Sequence, residues 1–271
     1  MFDAAELLAA YDAQVRARIP DPLPQGVTVE RDGPLVRFLG LPGRGFVLYR
    51  DLGGVVGRDL DELIARQVRV FAGRGERFEW KLHGHDRPRD LPQRLRAAGF
   101  VPEDTETIVI ARVAEIAAEP RLPDGVSLRE VTTRTDFERI AALEQAVWGE
   151  EDQRNWLVDM LESERATDPS SITIVVAEAG ESVVCAAWIR FEGGTEFATF
   201  WGGATLREWR RRGIYRATVA YRANLAAGRG FRYLETDASD DSRPILERLG
   251  FTAVTTTTPY VWSPKVPAAD R

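Results

Sequence analysis

An internal repeat constrains this chain more than any other feature. At a constant offset of 151 residues, Asp86, Asp90, Leu95, Gly99, Phe100, Thr105 and Thr107 align with Asp237, Asp241, Leu246, Gly250, Phe251, Thr256 and Thr258. Both stretches run from an apolar segment through a polar turn into a short amphipathic segment, a Gly-Phe pair and a further apolar run, the order of strand, helix and strand. Two copies of one unit in 271 residues predict two domains of the same fold. The stretch AAEPRLPDG, residues 117–125, breaks the periodic structure with two prolines and a glycine. It reads as a linker between residues 1–116 and residues 126–265.

In the first half the periodicity predicts helices over 4–18, 59–71 and 91–98, and strands over 27–30, 35–39, 46–49, 78–82 and 107–112. In the second half it predicts a strand over 126–130, helices over 136–148 and 152–165, and strands over 172–178, 183–191 and 196–205. A helix over 214–227, a strand over 231–236, a helix over 242–249 and final strands within 251–262 complete it. Thr135 and Glu138 form a capping-box pattern at the start of the helix over 136–148. Helices and strands mixed throughout predict a layered α/β fold, a mixed sheet flanked by helices.

Charge then narrows the partners. The net charge is −6, so the molecule as a whole repels a polyanion, and nucleic acid is not an expected partner. Anion binding must come from a local arrangement. Residues 207–226, REWRRRGIYRATVAYRANLA, hold six arginines, in a chain where only two of the 36 basic residues are lysine. Ile214, Ala217, Thr218, Tyr221 and Leu225 make an apolar stripe at helical spacing, and Arg207, Arg210, Arg211 and Arg212 lie ahead of it. There the unpaired N–H groups and the positive end of the helix dipole favour an anion, and Gly213 lets a bulky phosphate approach the backbone. Cys185 is the single cysteine and lies in an apolar run, which suggests a buried strand residue. No apolar run is long enough to span a membrane and no targeting segment is evident, so a cytoplasmic protein without a membrane partner is expected.

The stretch TLREWRRRGIYRATV resembles the acyl-CoA pyrophosphate loop of the GNAT acyltransferases, with the pattern Arg210-x-x-Gly213-x-Tyr215, and YLETDASDDSRPILERLGF resembles that family's next strand and helix. The resemblance implies two GNAT-like domains, each a mixed, mostly antiparallel sheet flanked by helices. It also implies an acetyl-CoA-dependent N-acetyltransferase acting on an amine of a small molecule or peptide. Ala204, Thr205 and Leu206 would meet the pantetheine arm, and Arg210, Arg211, Arg212, Gly213, Ile214, Tyr215 and Arg216 would hold the pyrophosphate. Ser239 and Ser242 occupy positions that contact cofactor in relatives, although Ser242 equally reads as a helix cap. The same comparison puts Asp59, Asp61 and Glu62 in the first turn of the corresponding first-half helix, where they would repel a pyrophosphate. The first half therefore reads as a degenerate copy without a cofactor site. A homodimer is compatible with the resemblance and not required by it.

Catalytic residues are less legible. The family's tyrosine acid falls on Leu246, and its strand glutamate has no close match: Glu196 lies about ten residues before the loop, with Thr199 nearer. Tyr215 could reach the cofactor with its hydroxyl or serve only in packing. Asp237 could act as base, or belong to a turn in DASDDS. Trp148, Glu151 and Trp156 form an aromatic and acidic rim suited to a cationic amine, and the tryptophans could equally be core. His83, His85 and Asp86 have an alternate spacing compatible with a metal, but sit where a structural turn is expected, so no metal is predicted. With these departures, a non-catalytic acyl-CoA-binding regulatory protein is the second reading.

Overall fold

A computed structural model describes residues 3–149 and 154–264. The first half contains α1 (Ala4–Gln14), β1 (Thr28–Asp32), β2 (Leu35–Leu39), β3 (Gly45–Leu48), α2 (Gly57–Arg74), β4 (Phe78–His83), α3 (Leu91–Ala97), β5 (Val101–Pro102), β6 (Glu106–Arg112) and α4 (Val113–Ile116). The second contains β7 (Val126–Val131), α5 (Arg134–Trp148), α6 (Arg154–Thr167), β8 (Ile172–Ala179), β9 (Ser182–Phe191) and β10 (Phe197–Thr205). A 3-10 turn (Arg207–Trp209), α7 (Ile214–Gly228), β11 (Tyr233–Ala238), α8 (Arg243–Leu249) and β12 (Thr252–Trp262) follow. The class is the mixed α/β sheet expected from the pattern.

All strands join one sheet, in the order β1-β2-β3-β4-β12-β6-β11-β10-β9-β8-β7, with the short β5 beside β12. Each half gives its last strand to the other. β6 runs antiparallel to β11 from Arg112–Tyr233 to Thr107–Ala238, and β12 runs antiparallel to β4 from Thr257–His83 to Trp262–Phe78. The two exchanged strands pair with each other at the centre. The exchange leaves no open edge between the halves, because every strand there has neighbours on both sides. Residues 117–125 are irregular as expected, yet they do not mark a boundary in the sheet.

The first-half core gathers Phe71, Phe78 and Trp80, all fully buried, with Phe71 and Phe78 stacked at 4.0 Å. The second half has one core under α7 and α8 and another under α5 and α6. α1 ends at Gln14, four residues short of expectation, and Arg16 turns back to pair with Asp86. Asp86 also accepts from the amide of His83 and the Tyr49 hydroxyl, while His83 shares a hydrogen bond with Tyr11 at 3.2 Å. Burial holds the His83 ring neutral by lowering its pKa to about 2. The His83-His85-Asp86 cluster thus fastens α1 to the sheet.

Three local expectations are corrected. α5 is capped by Thr133 rather than Thr135: its hydroxyl oxygen accepts from the amide of Asp136 and its O–H donates to that carboxylate at 2.7 Å, so the box partner is Asp136 rather than Glu138. β11 runs to Ala238, which puts Asp237 in a strand rather than a turn. α2 begins at Gly57, so only Asp59 lies in its first turn; Asp61 pairs with Arg94 instead.

Candidate functional site

β10 and β11 are parallel neighbours only from Phe197–Tyr233 to Thr199–Glu235, beyond which they separate. On its other edge β10 slips register against β9 between Gly202 and Ala204. Both glycines there have left-handed backbone, φ 66° and 95°. A Cβ on Gly202 would lie 2.4 Å from the Trp188 ring, and one on Gly203 would lie 2.8 Å from the Tyr215 ring. Only glycine fits at either position. Arg222 supports the bulge from α7, its Nη1 donating to the carbonyls of Trp188 and Trp201 at 3.0 and 3.3 Å. It is 1% exposed, and burial lowers its guanidinium to about 10. The sixth arginine of the basic stretch is therefore internal, and the buried face of α7 is wider than the predicted stripe, taking in Val219, Ala223 and Ala226.

Arg210, Arg211 and Arg212 lie in the loop, between Arg207 of the 3-10 turn and Arg216 of α7. Arg211 has φ 63°, unique among the described non-glycine residues, and Gly213 caps α7 at φ 82°. Left-handed residues on either side of Arg212 give a backbone of the kind that can turn successive N–H groups to one side, next to the helix N-terminus. Among the described residues, the amides of Arg211 to Arg216 have no acceptor in the protein; the first helical bond runs from Ala217 to Gly213 at 2.9 Å. The loop is tied back to β10 by Arg210, whose Nε donates to the Thr205 carbonyl at 3.0 Å.

A cavity of about 1290 Å³ occupies the space between bulge, loop and the start of α8. Of the residues expected to meet cofactor, Ala204, Thr205, Arg210, Arg211, Gly213, Ile214, Tyr215 and Arg216 line it, as do Ser239 and Ser242. Leu206 does not: its amide donates to the Val184 carbonyl at 3.0 Å and its side chain packs against apolar core; nor does Arg212, which lies over the Trp209 ring at 4.7 Å. Ser242 gives no side-chain cap to α8 and instead bonds to Ser239. Cys185 is buried beneath, its thiol pushed up to about 11 by burial.

Of the catalytic candidates, Asp237 and Tyr215 line the cavity and Glu196 does not. Glu196 is exposed at the far end of β10 and is bonded to Gln14 and Arg232. Burial raises the Tyr215 phenol, keeping it protonated. Leu246, at the family's tyrosine position, is 1% exposed in the core. Trp148 lines the cavity and is exposed, but Trp156 donates its indole N–H to the Pro42 carbonyl at 3.0 Å, joining α6 to the first half. Glu151 lies outside the described residues.

Sequence reasoning missed what the first half contributes. Asp104, Thr105 and Glu106 line the same cavity, and Lys81 of β4 forms an ion pair with Asp237. Burial, then the Asp237 charge, pushes the Glu106 carboxyl up to about 7, with Lys81 opposing. Glu235, fully buried beside Asp237, is raised well above the usual carboxylate range by burial and then by that neighbour. The repeat marks Thr105 and Thr107 as equivalent to Thr256 and Thr258, but no local pattern says which strands of the sheet they will join.

Residues 137–251 match the family described as Acetyltransferase (GNAT) family. The matched stretch runs from within α5 to Phe251 and takes in the β10 bulge and the loop before α7. The whole fold is similar to a GCN5-related N-acetyltransferase from Kribbella flavida (TM-score 0.64, 16% identity, 98% of this chain and 95% of that one). It is also similar to a tandem GNAT protein from the clavulanic acid biosynthesis pathway (0.63, 15%, 96% and 94%), and to a conserved protein of unknown function from Staphylococcus epidermidis (0.70, 14%, 92% and 99%). No curated protein matches the chain in sequence. Among the described residues, no helix is long and apolar enough to cross a membrane.

Proposed function

We propose that the protein is an acetyl-CoA-dependent N-acetyltransferase that acetylates an amine of a small molecule or peptide. The observation that carries this reading is the nest of unpaired amides from Arg211 to Arg216 opening onto the same cavity as the Gly202–Ala204 bulge. The donors suit a pyrophosphate by charge and direction, and the bulge suits an extended arm lying along β10. Acetyl-CoA supplies an activated acyl thioester. The register slip leaves Gly203 outside the β9 ladder, so its backbone can face the thioester oxygen where charge develops. Tyr215, whose ring lies against Gly203, is the acid we assign to the departing sulfur. Trp148 and Asp237 offer an aromatic face and a carboxylate to a cationic amine.

The first half is read as a copy without its own cofactor site: Asp59 occupies the first turn of α2, at the end where α7 presents free amides. Leu246 in the core and Glu196 away from the cavity favour one alternative, an acyl-CoA binder without catalysis. Calorimetric titration with acetyl-CoA, followed by thiol release over a panel of primary amines, separates these readings. Binding with turnover supports the transferase, binding without turnover the regulatory protein, and no binding removes both.

A further inference from the structure

Glu106 is the first residue of β6, the strand that the first half lends to the second. The β6–β11 ladder ends at Thr107–Ala238, and on β12 Glu106 stands opposite Thr257. Side chains alternate along a strand, so Glu106 shares a face with Ile108, whose partner on β11 is Asp237. Glu106 and Asp237 are therefore diagonal neighbours on one face, a separation that long side chains bridge. Continuing the β10–β11 register past Thr199–Glu235 places Glu106 at the height of Gly203, where the two strands have parted. Both carboxylates line the cavity with the bulge and Trp148.

We propose that Glu106 is the general base of acetyl transfer, a catalytic residue supplied to the second half's site by the degenerate first half. The inference rests on the transferase reading above. Asp237 already holds the Lys81 ammonium, whereas among the described residues no cation pairs with Glu106. The charged groups facing it are Asp237 and Lys81, with Glu79 of β4 and Asp104 just before β6; Glu235 faces Asp237, and β12 presents the Thr257 hydroxyl. A carboxyl held near neutrality by that surrounding can accept an ammonium proton and return it to water. In the step, an N–H bond of R–NH3+ breaks and an O–H bond forms on Glu106. The freed nitrogen pair forms the C–N bond, and the C–S bond breaks with its pair on sulfur. Sulfur takes the Tyr215 proton, which is restored through solvent by the second proton lost from nitrogen. Glu106 releases its proton to water, so each turnover yields one amide, one thiol and one proton.

The test uses the full chain, acetyl-CoA and a panel of spermidine, lysine, tyramine and kanamycin. Wild-type kcat/KM should rise through an ionisation near neutral pH. Glu106→Gln should lower kcat about 100-fold or more, abolish that limb and leave acetyl-CoA affinity within about threefold. Glu106→Asp, which keeps a carboxylate, should recover part of the rate and the limb. A Glu106→Gln protein that keeps both rate and limb overturns the assignment to Glu106 while leaving the transferase reading intact. A wild type that binds acetyl-CoA but acetylates no amine of the panel overturns the transferase reading and this inference with it. If Glu106→Gln does not fold, the Glu106→Asp pH profile decides: an unshifted limb with an unchanged rate overturns the assignment.

Discussion

Lys81 of β4 and Asp237 of β11 form an ion pair across the two exchanged strands, so a side chain of each half closes over the strands that the halves have traded. Burial opposes the charge on Lys81, but Asp237 and then Tyr11 raise its pKa above the ordinary lysine value. Asp237 also neighbours the buried Glu235, whose carboxyl it helps to raise.

Lys81→Met should therefore destabilise the protein by about 1–3 kcal/mol, the cost of leaving a partly buried charge without its partner. Urea unfolding of Lys81→Met, Asp237→Asn and the double variant checks this. The double variant should cost less than the sum of the singles, and additive effects would show that the pair contributes nothing.

Gly213→Asp should weaken acetyl-CoA binding by about 100-fold or more, because it places a carboxylate at the nest and forces an L-residue into φ 82°. Gly213→Ala carries the backbone strain alone, about 1–2 kcal/mol. Calorimetry on both variants separates strain from charge; equal losses would mean that no anion sits at the loop.

Tyr215→Phe should lower kcat about 100-fold while leaving acetyl-CoA affinity within about threefold, since the ring that packs on Gly203 is retained and only the acidic O–H is lost. Unchanged kcat in a steady-state assay would reduce Tyr215 to packing.

His83 gives a pH signature in stability. Its pKa is lowered to about 2 in the fold against about 6.5 unfolded, so below pH 6.5 the unfolded chain takes up a proton that the native state refuses. The stability that neutral His83 contributes is present above pH 6.5 and lost as pH falls, by about 1.4 kcal/mol per unit. Relative to wild type, His83→Gln should therefore look about 2 kcal/mol less damaging at pH 5 than at pH 7.5 in urea unfolding. An equal difference at both pH values would contradict the buried neutral ring.

Local chemistry alone determined much of this protein. Periodicity and turn residues place nearly every helix and strand within a few positions, and the repeat at offset 151 predicts two copies of one fold. The loop before α7 is legible because its signal is contained within Arg210 to Arg216, a glycine and a helix start. Only the tertiary structure decided where β6 and β12 go, since strand pairing joins residues distant in sequence and both strands suit either half of the sheet. That pairing brings Glu106 and Lys81 to Asp237; the packing of α7 on β9 and β10 buries Arg222 behind the bulge. The backbone of the loop before α7 is a local property of the chain; Glu106, Asp237 and Lys81 come together only when the two halves exchange strands.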